Sequence, residues 1–302
     1  MIDSRVFGQK WSGLLTAVCA CRSRIPLFLK RIISRNWFSR LWNSFKSIFQ
    51  KALKIGDTAK ELPDLKDFLH FSGYLNSSTS NPNFTDEFTV NLQSAIIKFQ
   101  KTFNLKTSGQ LDENTYNILS KPRCGVPDIV NETTTMSNDV KSFKPWWTGK
   151  ELKYAFHPEN NLPENVKSLF QDAFNRWSKV TALDFVETVS FNGSDIRIAF
   201  VTMDGKGGMV GGGYVNNSVH VGSIYLDAEE NWVVSSKSAI DEDDVDLESF
   251  VMHQIGHLLG LGHSSVEESI MYPIVLPKKK IELVNDDDLQ KIQQIYGVTV
   301  TP

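Results

Sequence analysis

The sequence predicts an α+β protein in two parts: a small helical unit, then a domain that sets a sheet beside segregated helices. Three observations predict it. Residues 61 to 120 show helical apolar periodicity, residues 152 to 226 carry strand-like runs beside one amphipathic helix, and the C-terminal third returns to helical spacing.

Length and composition set the frame. At 302 residues, 41% hydrophobic and 22% charged, the chain can bury one or two cores and reads as soluble and globular. The net charge of -3 conceals a split: residues 1 to 60 hold 12 Lys/Arg against 2 Asp/Glu, so the remainder is strongly acidic.

Residues 1 to 45 form a basic N-terminal segment. Its uncharged run, 11 to 21, suits the core of a targeting sequence better than a membrane span of about 20 residues. Arg22, Arg24, Lys30 and Arg31 follow it, and only 18 to 20 offers small residues for cleavage. From 31 to 54, Ile33, Trp37, Leu41, Phe45, Ile48 and Phe49 recur at helical spacing between basic residues. That pattern fits a solvated propeptide helix, or a helix making weak contact with an anionic membrane surface. No transmembrane helix, C-terminal anchor or nucleic-acid partner is expected, and a monomer is.

Residues 46 to 120 form the helical unit, with one helix around 65 to 69, one opening at Thr85 and one opening at Asp112. Phe88, Leu92, Ile96, Phe99 and Phe103 make the stripe of the second. Residues 121 to 144 are a connector that turns polar and aperiodic after Ile129, an accessible place for proteolytic cutting. The second domain, 145 to 302, opens with a strand at 152 to 156. A helix follows in which Val166, Leu169, Phe170, Ala173, Phe174 and Trp177 share a face. Strands at 183 to 189, 196 to 201 and 223 to 226 follow, with a Gly-rich loop from Asp204. Helices over 245 to 259 and from about Asn285 to Gly297 complete the pattern.

The run HQIGHLLGLGH carries chemistry. His253 and His257 lie four apart on one helix face, and Gly260 lets the chain break so that His263 joins them. Three neutral imidazoles leave a tetrahedral zinc one open position. There are three cysteines, Cys19, Cys21 and Cys124. Loss of a targeting segment leaves Cys124 as an odd thiol in need of a purpose. Sequons at Asn76, Asn83, Asn131, Asn192 and Asn216 agree weakly with export.

With Met271 in SIMYP, the histidine run resembles the metzincin signature, and residues 245 to 273 look like a plant matrix metalloproteinase in particular. The resemblance covers about 46 to 297. It implies a peptidoglycan-binding-like prodomain, a zinc endopeptidase domain built on a twisted mixed sheet of about five strands plus three helices, and a latent, secreted zymogen acting on extracellular proteins of the matrix or, in a plant, the cell wall. It also implies a tight turn at Met271 beneath the zinc, with Pro273 walling the specificity pocket. PRCGVPD, 122 to 128, resembles the family's cysteine switch, in which Cys124 takes the fourth zinc position.

Two departures stand out. The family has a glutamate after the first zinc histidine, serving as general base; this chain has Gln254. An amide binds water but accepts no proton, so strongly impaired hydrolysis is expected, and a non-catalytic peptide-binding protein is the alternative. A single base also separates Gln and Glu codons.

The family's structural-zinc ligands find no counterparts either. Gly212 and Tyr225 stand at two of those positions, and His220 is out of register, so that second zinc is expected to be absent. The same register implies a calcium site from the carboxylates of Asp204, Asp227 and Glu230, with Gly205, Gly207 and Met209 giving backbone carbonyls. Glycines at 211 to 213 on the expected edge strand are read as weakening it.

Overall fold

A computed structural model of the chain describes residues 48, 52–79, 82–129, 145–216, 219–234, 244–275 and 286–297. The targeting-sequence and membrane-surface expectations therefore fall almost wholly outside the described residues.

The helical unit contains α1 (Leu62–Phe71), α2 (Val90–Thr102) and α3 (Glu113–Leu119). Asp112 caps α3 as expected, its carboxylate accepting from the Thr115 backbone N–H. The second helix opens later than expected, because Thr89 rather than Thr85 caps it, accepting from the Leu92 N–H. Phe88 thus precedes α2 but is still fully buried.

The second domain supplies β2 (Glu151–Phe156), α4 (Glu164–Ser178), β3 (Asp184–Glu187), β4 (Ile196–Val201), β5 (Met209–Asn216) and β6 (Val221–Asp227). A short pair follows, β7 (Asn231–Val233) and β8 (Asp244–Asp246), then α5 (Leu247–Leu258) and α6 (Asp286–Tyr296). The protein is α+β, as expected. A preceding two-residue strand, β1 (Arg123–Cys124), joins the main sheet, whose order is β1-β5-β6-β4-β2-β3. Only β5 and β6 run antiparallel, so the sheet is mixed.

All six stripe residues of α4 are buried against the sheet and α5. At about 1.5–3 kcal/mol for each large side chain fully buried, this face is a principal anchor of the domain. Trp177 Nε1 donates to the Met252 carbonyl at 3.0 Å, and Arg176 pairs with Glu248, so α4 fixes the helix that carries the histidines.

A second apolar cluster spans both parts of the chain. Leu65, Phe68, Phe99 and Phe103 of the helical unit meet Val201, Met203, Met209, Tyr272 and Ile274 of the sheet domain. Phe103 meets Tyr272 edge-on, with ring centroids 6.0 Å apart.

The glycines of β5 are a packing requirement, which changes the reading made from sequence. A Cβ at Gly213 would come within 2.7 Å of the Gln254 backbone oxygen, and one at Gly211 would collide with the Tyr225 carbonyl. Their bareness lets β5 lie directly on α5. With β1 on its other side, β5 is not an edge in this state.

Candidate metal centre and cleft

Helix α5 ends in a Schellman arrangement: the Gly260 N–H reaches the His257 carbonyl, the Leu261 N–H reaches the Gly256 carbonyl, and Gly260 sits at φ +98°. That break turns the chain back and brings His263 to the helical pair. The Nε2 atom of His257 lies 3.0 Å from that of His253 and 3.1 Å from that of His263, while Cys124 Sγ stands 3.5 Å from His257 Nε2.

The outer nitrogens explain this geometry. His253 Nδ1 faces the Ile270 carbonyl at 2.7 Å, His257 Nδ1 the Leu261 carbonyl at 2.9 Å, and His263 Nδ1 the Asp128 carboxylate at 2.7 Å. Each acceptor fixes a proton on Nδ1 and so turns an Nε2 lone pair inward. Three lone pairs and a sulfur converging in a buried space repel one another unless a cation sits among them. The four ligand atoms lie within 4.8 Å of one another, and the donor set suits tetrahedral zinc. Among the described residues this is the one group of His, Cys, Asp or Glu gathered at such spacing.

The electrostatics follow from these contacts. Burial pushes His257 down to about 4. His263 suffers the same burial, but the Asp128 carboxylate and the Cys124 sulfur push it up to about 9. Burial disfavours the Cys124 thiolate, yet the imidazoles of His253 and His257 hold the thiol well below its usual value.

Met271 is buried beneath the site, its sulfur against Gly256 of α5. Its turn is clamped from α6: Asp288 accepts from Ser269 Oγ at 2.7 Å and from the Ile270 N–H at 2.9 Å. Asp288 stands in the first turn of α6, where an acidic side chain also favours the helix N-terminus. It is fully buried and fixes the residue whose carbonyl orients His253.

Two walls flank the centre. One is β5; the other is the segment 273–275, with Pro273 facing a pocket also lined by Phe250, His253, Ile270 and Val275. The 122–125 segment fills the space between them. The Arg123 N–H donates to the Gly208 carbonyl and the Gly125 N–H to that of Gly211, while the Cys124 N–H donates to Pro273 and the Val275 N–H to Pro122.

Sequence reasoning missed four contacts of the connector. Asp128 bridges Arg123 Nη2 at 2.5 Å and His263, and it accepts from the Tyr74 hydroxyl at 2.8 Å. The Tyr214 hydroxyl donates to the Gly125 carbonyl at 2.7 Å, its ring folded over Gly212. The DGKGGMVGGGY run was read for metal ligands and gave no signal for that bond. Gln254 is fully buried, its Nε2 3.4 Å from Cys124 Sγ.

The expected calcium carboxylates are buried neighbours. The Asp204 and Met203 backbone N–H groups donate to Asp227, and Asp204 Oδ1 and Glu230 Oε1 have no hydrogen-bond partner. Burial first, then their mutual repulsion, pushes Asp204 up to about 9 and Glu230 up to about 8; burial pushes Asp227 up to about 7. Gly212 lies opposite Tyr225 in the sheet, and His220 is exposed at φ +48°.

A helix-borne histidine pair, a third histidine past a glycine break and a cleft beside a mixed sheet define a metalloprotease scaffold. The chain belongs to the matrixin family, whose model matches residues 145–297, and a putative peptidoglycan binding domain matches 58–119. Metalloendoproteinase 2-MMP of Arabidopsis thaliana is 40% identical, covering 87% of this chain and 77% of that protein. Metalloendoproteinase 1 of Glycine max is 38% identical over 80% of this chain and 84% of its own length. Interstitial collagenase of Sus scrofa is 32% identical over 68% of this chain and 43% of that protein.

Proposed function

We propose that this chain is a latent, secreted zinc metalloendopeptidase-type protein of the extracellular matrix or plant cell wall whose hydrolytic step is strongly impaired by Gln254. The inward convergence of three Nε2 atoms and Cys124 Sγ carries the metal assignment. His253, His257 and His263 would hold zinc, with Cys124 as fourth ligand in the latent form. When bound, zinc polarises the scissile carbonyl and makes water more acidic.

The chain's own residues supply the rest. Once segment 122–125 leaves, the carbonyls of Gly208, just before β5, of Gly211 within it and of Pro273 become available to an extended peptide. The pocket beside Pro273 takes one of its side chains. Gln254 stands where the proton of the attacking water has to be received, and an amide positions that water without accepting the proton. Loss of a positioned general base costs about 10²- to 10⁴-fold.

Export is supported by the exposure of Asn76, Asn83, Asn192 and Asn216, the four described sequon asparagines. Calcium is supported by the unpartnered buried oxygens of Asp204 and Glu230, with Asp227 beside them and Gly205, Gly207 and Met209 offering carbonyls. A single zinc per chain is expected, because Gly212 and Tyr225, which pair across β5 and β6, stand where the resemblance would place two structural-zinc ligands.

The alternative is a binding protein that holds peptides without cutting them. Zinc content and peptide turnover of the linker-cleaved protein, wild type beside Gln254→Glu, test the reading. Gln254→Glu is expected to raise turnover at least 100-fold; equal rates would refute it.

A further inference from the structure

We propose that Gln254 is the positioning residue that holds Cys124 in the closed cleft, so the change that removes the general base also strengthens the block. This rests on the reading above, in which Cys124 completes the metal's coordination. Gln254 Nε2 lies 3.4 Å from Cys124 Sγ, and the Val126 backbone N–H reaches the same sulfur at 3.4 Å. Both residues are buried from solvent.

The amide's orientation follows from the chemistry of the sulfur. A metal-bound cysteine is a thiolate, which accepts hydrogen bonds and donates none, so the NH₂ end of the amide faces it. The amide oxygen lies farther from the sulfur, at 3.9 Å, and close to β5, where a Cβ placed on Gly213 would come within 3.2 Å of it. The amide is thus confined between strand and sulfur, and its donor has an anion to serve.

A carboxylate at this position offers acceptors only. Set beside a thiolate in a buried site, it repels the sulfur or must take up a proton. The glutamate form of this chain therefore opens more readily. Gln254 shifts the balance toward closure at the same atom where it forfeits proton transfer.

The test uses the full-length, zinc-loaded chain with Cys19→Ser and Cys21→Ser, which leaves Cys124 as the one thiol. The rate of its reaction with an aromatic disulfide reagent is compared among Gln254, Gln254→Met and Gln254→Glu. Methionine keeps the volume without donor or charge, and should expose the thiol roughly ten- to a hundredfold faster, the worth of a hydrogen bond to a charged group. Glutamate should do so at least as strongly.

Cobalt substitution gives a second readout: the sulfur-to-metal charge-transfer band should weaken in both variants, which a merely space-filling role would not cause. Equal thiol rates and unchanged bands in both variants would overturn the proposal. Turnover by the cut protein is a separate measurement. Fast hydrolysis by wild type would refute the functional reading and leave the thiol comparison standing.

Discussion

Asp128 Oδ1 lies 2.7 Å from His263 Nδ1 and 2.5 Å from Arg123 Nη2, so one buried carboxylate from the connector serves both the third histidine and the arginine beside Cys124. Arg123 and Asp128 are each about 2% exposed or less, and the Arg123 guanidinium sits over the Phe68 ring. Removing one partner of such a pair leaves an uncompensated buried charge.

Asp128→Ala in the full-length protein is therefore expected to cost about 3–5 kcal/mol in denaturant unfolding. Arg123→Met with Asp128→Leu should recover much of it. No difference between the single and double variants would contradict the pairing argument.

The ring contact between Phe103 and Tyr272 ties the helical unit to the wall of the cleft. A double-mutant cycle with Phe103→Ala and Tyr272→Ala should give a coupling of about 0.5–1.5 kcal/mol. Strict additivity would mean that the two rings contribute independently.

Close approach of β5 to α5 makes Gly213 intolerant of a side chain. Gly213→Val should lower stability by about 1–3 kcal/mol, because the new Cβ meets helix backbone rather than a movable side-chain end. Thermal unfolding measures it; an unchanged midpoint would show that β5 has room to shift.

The proposed calcium site predicts a stability change of defined sign. In the ion-free protein Asp204, Asp227 and Glu230 are pushed up to about 9, 7 and 8, so between roughly pH 4 and 9 the folded chain binds more protons than the unfolded one. Ion-free stability is full at low pH and is lost as pH rises through those values. Calcium pairs with the ionised forms and should remove that loss. Melting at pH 5 and pH 8, with and without calcium at fixed zinc, should show the larger calcium shift at pH 8. No shift at pH 8 would dismiss the site.

The elements were legible because local patterns decide them: the α4 stripe, the Asp112 cap and the break at Gly260 act within a few residues. The histidine cluster was legible because two ligands share a helix face and the third follows at once. What stayed hidden depends on distance along the chain. Tyr74 and Asp128 are 54 residues apart, and nothing in the spacing couples them. Phe88 was assigned to a helix because its apolar character matched the stripe, whereas Thr89 supplies the cap that starts α2 after it. The glycines of β5 were misjudged for a related reason, since composition says that glycine loosens a strand and only the neighbouring helix says that it is needed.

The clamp by Asp288 bears on how the molecule is made. His253 takes its orientation from the Ile270 carbonyl, and Ile270 is held by Asp288 of α6, 18 residues further along the chain. A chain emerging from the ribosome folds its helical unit early, while the turn under the histidines waits for α6. The turn that orients His253 is therefore completed only once α6 has docked, after the segment that bears Cys124 is already made.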